Sequence, residues 1–131
     1  WETKTESLSK SFKGHNGSIH SVAFSHDGSQ IVSGSFDCSI KIWDSKSKYV
    51  LKKFKGHTEK VNSVAFNHDG SLIVSGSADK SVKIWETKTE SLSKSFKGHN
   101  GSIHSVAFSH DGSQIVSGSE DKAIKVWNNI T

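Results

Sequence analysis

Side chains able to do chemistry recur along this chain at a fixed step. Gly-His stands at Gly14-His15, Gly56-His57 and Gly98-His99, and an aspartate follows at Asp37, Asp79 and Asp121, each set 42 residues apart. With the serines between them, every copy holds the Ser, His and Asp of a nucleophilic hydrolase. An enzyme needs one such set in one cleft. Three sets at identical spacing point to bracing inside a repeat, and no Gly-x-Ser-x-Gly elbow supports a nucleophile. No catalytic residue, and no enzyme, is expected. The eight histidines raise the question of a metal. His15, His20 and His26 fall in a loop, at a strand start and at a turn, and the strand holds the last two roughly 20 Å apart. No metal site and no cofactor is expected, although the repeated His20 and His104 could gather around the axis of an assembly. Asn16-Gly17-Ser18, Asn100-Gly101-Ser102 and Asn129-Ile130-Thr131 match the glycosylation pattern, but Asn-Gly is better explained as a loop turn. No Gly-Lys-Ser/Thr loop is present to hold a nucleotide phosphate.

Composition narrows the class. The 131 residues include 17 lysines and no arginine, one cysteine, no proline and no methionine, and the formal charge is +4. Arginine's planar fork is the usual reader of phosphates and guanine edges, so lysine alone reads as a solubilising surface and no nucleic-acid partner is expected. No apolar run approaches the roughly 20 residues of a membrane helix, and no membrane partner is expected. The chain opens with no basic-then-apolar leader, and the expected setting is cytoplasmic. Cys38 alone makes no internal disulfide, and no Cys-x-x-Cys pair offers zinc ligands.

The elements that position these residues follow from the repeat. Trp1, Trp43, Trp85 and Trp127 share the 42-residue step, as do the turns Asp27-Gly28, Asp69-Gly70 and Asp111-Gly112. Residues 1–35 recur unchanged as 85–119, while the middle copy diverges. One array of three repeats is therefore expected, about 1–42, 43–84 and 85–127, with a tail at 128–131 that leaves the pattern. Within a repeat the hydrophobic period is two. Ile19 to Ser25 alternates, with Val22 and Phe24 on one side and Ile19 and Ala23 on the other. Ile31 to Ser35 and Ile40 to Trp43 are β-branched strands, and Tyr49 to Phe54 is a more polar fourth. Four short strands per repeat predict an all-β array of four-stranded antiparallel meanders. Each is apolar on both faces, so neighbouring repeats must cover both, and radial stacking does this.

Gly-His, an alternating strand, an Asp-Gly turn, Ser-Gly-Ser-x-Asp and Ile-x-Ile-Trp together resemble the WD-repeat family of β-propellers over essentially the whole chain. The family often has proline before its Asp-Gly turn, where this chain has His26, His68 and His110. The closing Trp-Asp pair survives only at Trp43-Asp44, and reads Trp85-Glu86 and Trp127-Asn128 elsewhere. The near-identical copies also resemble the repetitive arrays that follow nucleotide-binding switch domains in fungal and bacterial self-recognition proteins, or an engineered copy of one.

The resemblance implies a buried polar tetrad in each blade: His15, Ser33, Asp37 and Trp43; His57, Ser75, Asp79 and Trp85; and His99, Ser117, Asp121 and Trp127. A buried aspartate needs donors, and a ring N–H, a hydroxyl and an indole N–H are expected to supply them. Ser35 shares the parity of Ser33, so the serine stays open at this point. The resemblance also implies a partner-binding top face, carrying Phe36, Ala78 and Glu120 before the tetrad aspartates, His20, Asn62 and His104 on the inner strands, and Ser18, Lys60 and Ser102 two residues earlier. Two functions follow. One is a non-enzymatic scaffold that binds a protein or peptide there. The other is a purely structural repeat, fragment or self-assembling array without a selected ligand. Three blades do not close a propeller of roughly four to eight. Residues Leu8 to Phe12 are expected to form an outer strand that completes residues 103–127 of a second copy. Closure of this homo-oligomer would give six blades from two chains or nine from three.

Overall fold

The computed structural model describes residues 12–47 and 49–129. Eleven strands fill them: β1 (Ile19–Phe24), β2 (Gln30–Ser35), β3 (Ser39–Asp44), β4 (Val50–Lys55), β5 (Val61–Phe66), β6 (Leu72–Ser77), β7 (Ser81–Glu86), β8 (Ser91–Lys97), β9 (Ile103–Phe108), β10 (Gln114–Ser119) and β11 (Ile124–Asn128). They form three antiparallel meanders in chain order, β1–β4, β5–β8 and β9–β11. Each meander therefore begins part-way through a sequence repeat, and the last has three strands among the described residues. The expected outer strand at Leu8 to Phe12 lies outside the described residues except for Phe12, which is in no strand.

Local chemistry sets the turns. Gly28, Gly70 and Gly112 sit at φ +76 to +77°, where a side chain is disfavoured, directly after an aspartate that caps the turn. Asp27 accepts the Ser29 N–H at 3.0 Å and the Ser25 and Ser29 hydroxyls at 2.8 Å each. The Ser29 N–H, with these hydroxyls, lowers its carboxyl to about 2.

Two cores lie between sheets rather than within one. Val32, Ile40, Ile42 and Phe54 of the first meander meet Val61, Val64, Ile73 and Trp85 of the second. Val74, Val82 and Ile84 then meet Ile103, Val106 and Ile115 of the third. The simple alternation read for the inner strand does not hold through it. A β-bulge lies between Ile19 and Ser21, and again between Val61 and Ser63. The extra residue shifts the parity, so Val61 and Val64, three apart, both face Gly34 of the preceding meander. Ile19 thus belongs with Val22, and Ala23 packs into the opposite core. At the far end Asn128 closes β11, and Asn129 N–H donates to Ser113 O, as Thr87 N–H does to Ser71 O.

Candidate functional site

In each meander a line of hydrogen bonds joins the third strand to the second, and the second to the loop before the first strand and the turn that follows the second. In the second, Trp85 Nε1–H donates to Ser75 Oγ at 2.8 Å, Ser75 Oγ lies 2.7 Å from His57 Nε2, and His57 Nδ1 lies 2.8 Å from Asp79 Oδ2. Trp43, Ser33, His15 and Asp37 repeat this geometry, and so do Trp127, Ser117, His99 and Asp121. An indole N–H only donates and a carboxylate only accepts. The arrangement that satisfies every member therefore runs from Ser Oγ–H to Nε2 and from Nδ1–H to the aspartate. Ser33, Ser75 and Ser117 are buried, and each Oγ is engaged on one side by the indole N–H and on the other by the imidazole.

The indole therefore reaches the serine and not the aspartate, contrary to the expectation that it feeds the carboxylate directly. The bridging serine is Ser33. Ser35 bonds elsewhere. Its hydroxyl donates to Ser18 O at 3.0 Å and accepts the Asp37 N–H at 3.1 Å, pinning the turn to the Gly-His loop. Sequence reading missed Ser39 and Ser81, whose hydroxyls donate to Asp37 and Asp79 at 2.6 and 2.5 Å. Their position two residues after a turn aspartate is the signal that could have found them. Ala123 takes this place in the third meander. Burial pushes the Asp79 carboxyl up, but donors from His57, Ser81 and Thr58 outweigh it and hold it well below the ordinary carboxylate range. Asp37 is lowered in the same way, against burial, by Ser39, Asn16 and His15. Asp121 is lowered chiefly by the Asn100 N–H.

The tight turns after β2 and β6 lift the expected face residues to one end. Phe36 is exposed there. The His20 ring lies 5.9 Å from it between centroids, and Lys60 Nζ of the next meander sits 5.7 Å over it. Ser18, Lys60 and Ser102 contribute carbonyls that accept the N–H of Phe36, Ala78 and Glu120. Asn62 is turned to the seam, where its amide donates to Ser102 Oγ and Ile103 O. His104 and Glu120 are exposed and Ala78 half-buried. Cys38 follows in the turn at φ 72°; burial, then the charge of Asp37, pushes its thiol up, away from the reactive thiolate.

The model of the WD domain, G-beta repeat matches residues 6–44, 48–86 and 90–128. The chain belongs to the WD40 repeat family. Its three meanders are blades of a propeller. Solved WD40 structures agree: U3-55K and the RRP9 WD40 repeats each match at a TM-score of 0.86 and 32% identity over 90% of this chain. The chain spans only 38% and 37% of those two proteins. A search of curated proteins gave no match.

Two further features line the WD40 blades. His26 and His68, which replace the family's proline, bring their rings to 4.1 Å between centroids, and His68 and His110 to 6.2 Å. Among the described residues no group of three or more His, Cys, Asp or Glu side chains is arranged to hold a metal ion. The outer face of the first blade carries an apolar cleft of about 280 Å³, lined by Phe12, Ile19, Val22, Phe24, Ile31 and Trp43. No helix long and apolar enough to cross a membrane occurs among the described residues.

Proposed function

We propose that this chain is a non-enzymatic scaffold that binds a protein or peptide on the end of the propeller carrying Phe36, His20 and Lys60. The observation that carries this reading is the exposed phenylalanine in a turn that needs no aromatic, flanked by a second ring from its own blade and a cation from the adjacent one. An aromatic held at low entropic cost with a cation over its face is a fitting binding anchor. Where residues 1–43 and 85–127 are otherwise copies, three of their four differences, Phe36/Glu120, Cys38/Lys122 and Ser39/Ala123, fall in or beside this turn; Ile42/Val126 is the fourth. The same near-identity supports a second reading, in which the chain is a structural array without a selected ligand. On either reading, homo-oligomeric closure to six or nine blades is the assembly we propose.

A peptide-display selection against the chain separates the two functions. Selected peptides are expected to lose roughly 5–30-fold in affinity, about 1–2 kcal/mol, on Phe36→Ala, the range of an interface anchor. The melting temperature is expected to stay unchanged. Peptides that bind the variant equally well, or a variant that unfolds, refute the patch.

A further inference from the structure

The seam between blades is built from a knob and a socket, used twice inside the chain. At the first seam, a methyl placed on Gly34 would lie 2.7 Å from Val61 Cγ1 and 3.0 Å from Val64 Cγ1. At the second, a methyl on Gly76 would lie 2.5 Å from Ile103 Cγ2 and 2.9 Å from Val106 Cγ1. Glycine is required there because the next blade's inner strand presses against bare backbone. A hydrogen bond fixes the register in both seams: Val64 N–H donates to Ser21 Oγ, and Val106 N–H donates to Ser63 Oγ, each at 3.2 Å.

The third position of this series is open on both sides. Gly118 has nothing within 4 Å of where its methyl would be. On the same face Val116, Ile124 and Val126 are 39, 79 and 61% exposed, whereas their counterparts Val74, Val82 and Ile84 are fully buried. At the other end Ile19 and Val22 are 47 and 64% exposed, against 0 and 6% for Ile103 and Val106. The outer strand shows the same offset. Phe54 and Phe96, from the blade before, meet Trp85 and Trp127 at 5.7 and 5.2 Å. Phe12 already meets Trp43 at 5.8 Å, with no blade before it among the described residues.

We propose that the open face of the third blade is a socket for the first blade of a second copy of this chain. Ile19 and Val22 of the incoming copy enter over Gly118, the Val22 N–H donates to Ser105 Oγ, and Phe12 comes beside Ile124 of β11, as Phe54 and Phe96 lie opposite Ile40 and Val82. A second copy is the occupant because its free face carries the same residue types, in the same register, as the faces that fill the two internal sockets. The contact is head-to-tail, which makes a ring where the rotation between copies closes and an open filament where it does not; a ring of two or three copies is the form proposed. This gives the interface for the closure proposed above and is independent of the Phe36 patch.

The test is the solution mass of the chain by light scattering and sedimentation across the micromolar range. Two or three times the monomer mass is expected for the unaltered chain. Gly118→Val and Val22→Glu are each expected to return it to the monomer. Neither is expected to change the circular dichroism or the blade's own melting, since both positions are open within one copy. Phe36→Ala, which addresses only the peptide-binding reading, is expected to leave the assembled mass unchanged. A chain that stays monomeric throughout overturns the proposal and assigns the two faces to other blades of a longer polypeptide. Variants that assemble like the unaltered chain overturn it too.

Discussion

Replacing Asp79 by alanine in the middle blade tests how the polar line is held. The carboxylate accepts from His57 Nδ1 at 2.8 Å, Thr58 N at 3.1 Å, Ser81 N at 3.0 Å and Ser81 Oγ at 2.5 Å. Without it, the Thr58 N–H is exposed and turns to water. The His57 ring is buried, and its Nδ1 is left with only Ser81 Oγ, at 3.4 Å. A buried donor left without an acceptor costs about 1–3 kcal/mol, and loss of the turn's side-chain bonds adds about 1 kcal/mol. The expected total is about 2–4 kcal/mol, which for a chain of this size lowers the melting temperature by roughly 10 °C. Thermal and urea unfolding read this directly. Asp79→Asn keeps one acceptor oxygen and is expected to lose about half as much. Ser81→Ala recreates the third blade, where Ala123 stands and Asp121 still holds His99 at 3.0 Å, and is expected to cost under about 1 kcal/mol. An Asp79→Ala chain that melts within about 2 °C of the unaltered one would refute the bracing role, because that shift corresponds to well under 1 kcal/mol.

Acid should destabilise the chain over a defined window. Asp27 and Asp111 are lowered to about 2, and Asp37, Asp79 and Asp121 are lowered as well. Groups lowered in the folded state contribute stability that is complete above their unfolded value of about 3.9 and is lost as pH falls through the folded values. Melting temperatures recorded in acid should therefore drop steeply from about pH 4 toward pH 2 as these carboxylates protonate. An unchanged melting temperature across that window contradicts the assignment. Lys80 holds φ 73° in the turn after β6, a conformation glycine adopts without strain. Lys80→Gly is expected to raise stability by about 0.5–1 kcal/mol, the relief of strain less the added unfolded-chain entropy; a lower melting temperature would contradict this.

Much of this protein is legible in its residues because the information is local. The 42-residue step, the alternation in the strands and the Asp-Gly turns require no knowledge of distant neighbours, and they gave four-stranded meanders with strand ends near those observed. The blade's polar residues were also legible, as recurring histidines and aspartates in an otherwise ordinary β sequence. Their connectivity was not. Whether the indole meets the serine or the aspartate, and whether Ser33 or Ser35 bridges, depends on which face each strand turns inward and how far apart the strands lie. The bulge in the inner strand was hidden for the same reason. Ile19 and Val22 share a face only because one residue is left unpaired opposite β2, and nothing in the local alternation reports that. Tertiary structure alone decided the rest. Phe36, His20 and Lys60 meet because two blades turn their loops to one end. Gly34, Gly76 and Gly118 are similar in sequence and opposite in circumstance, since two are covered by the following blade and the third is open to the next surface that fits it.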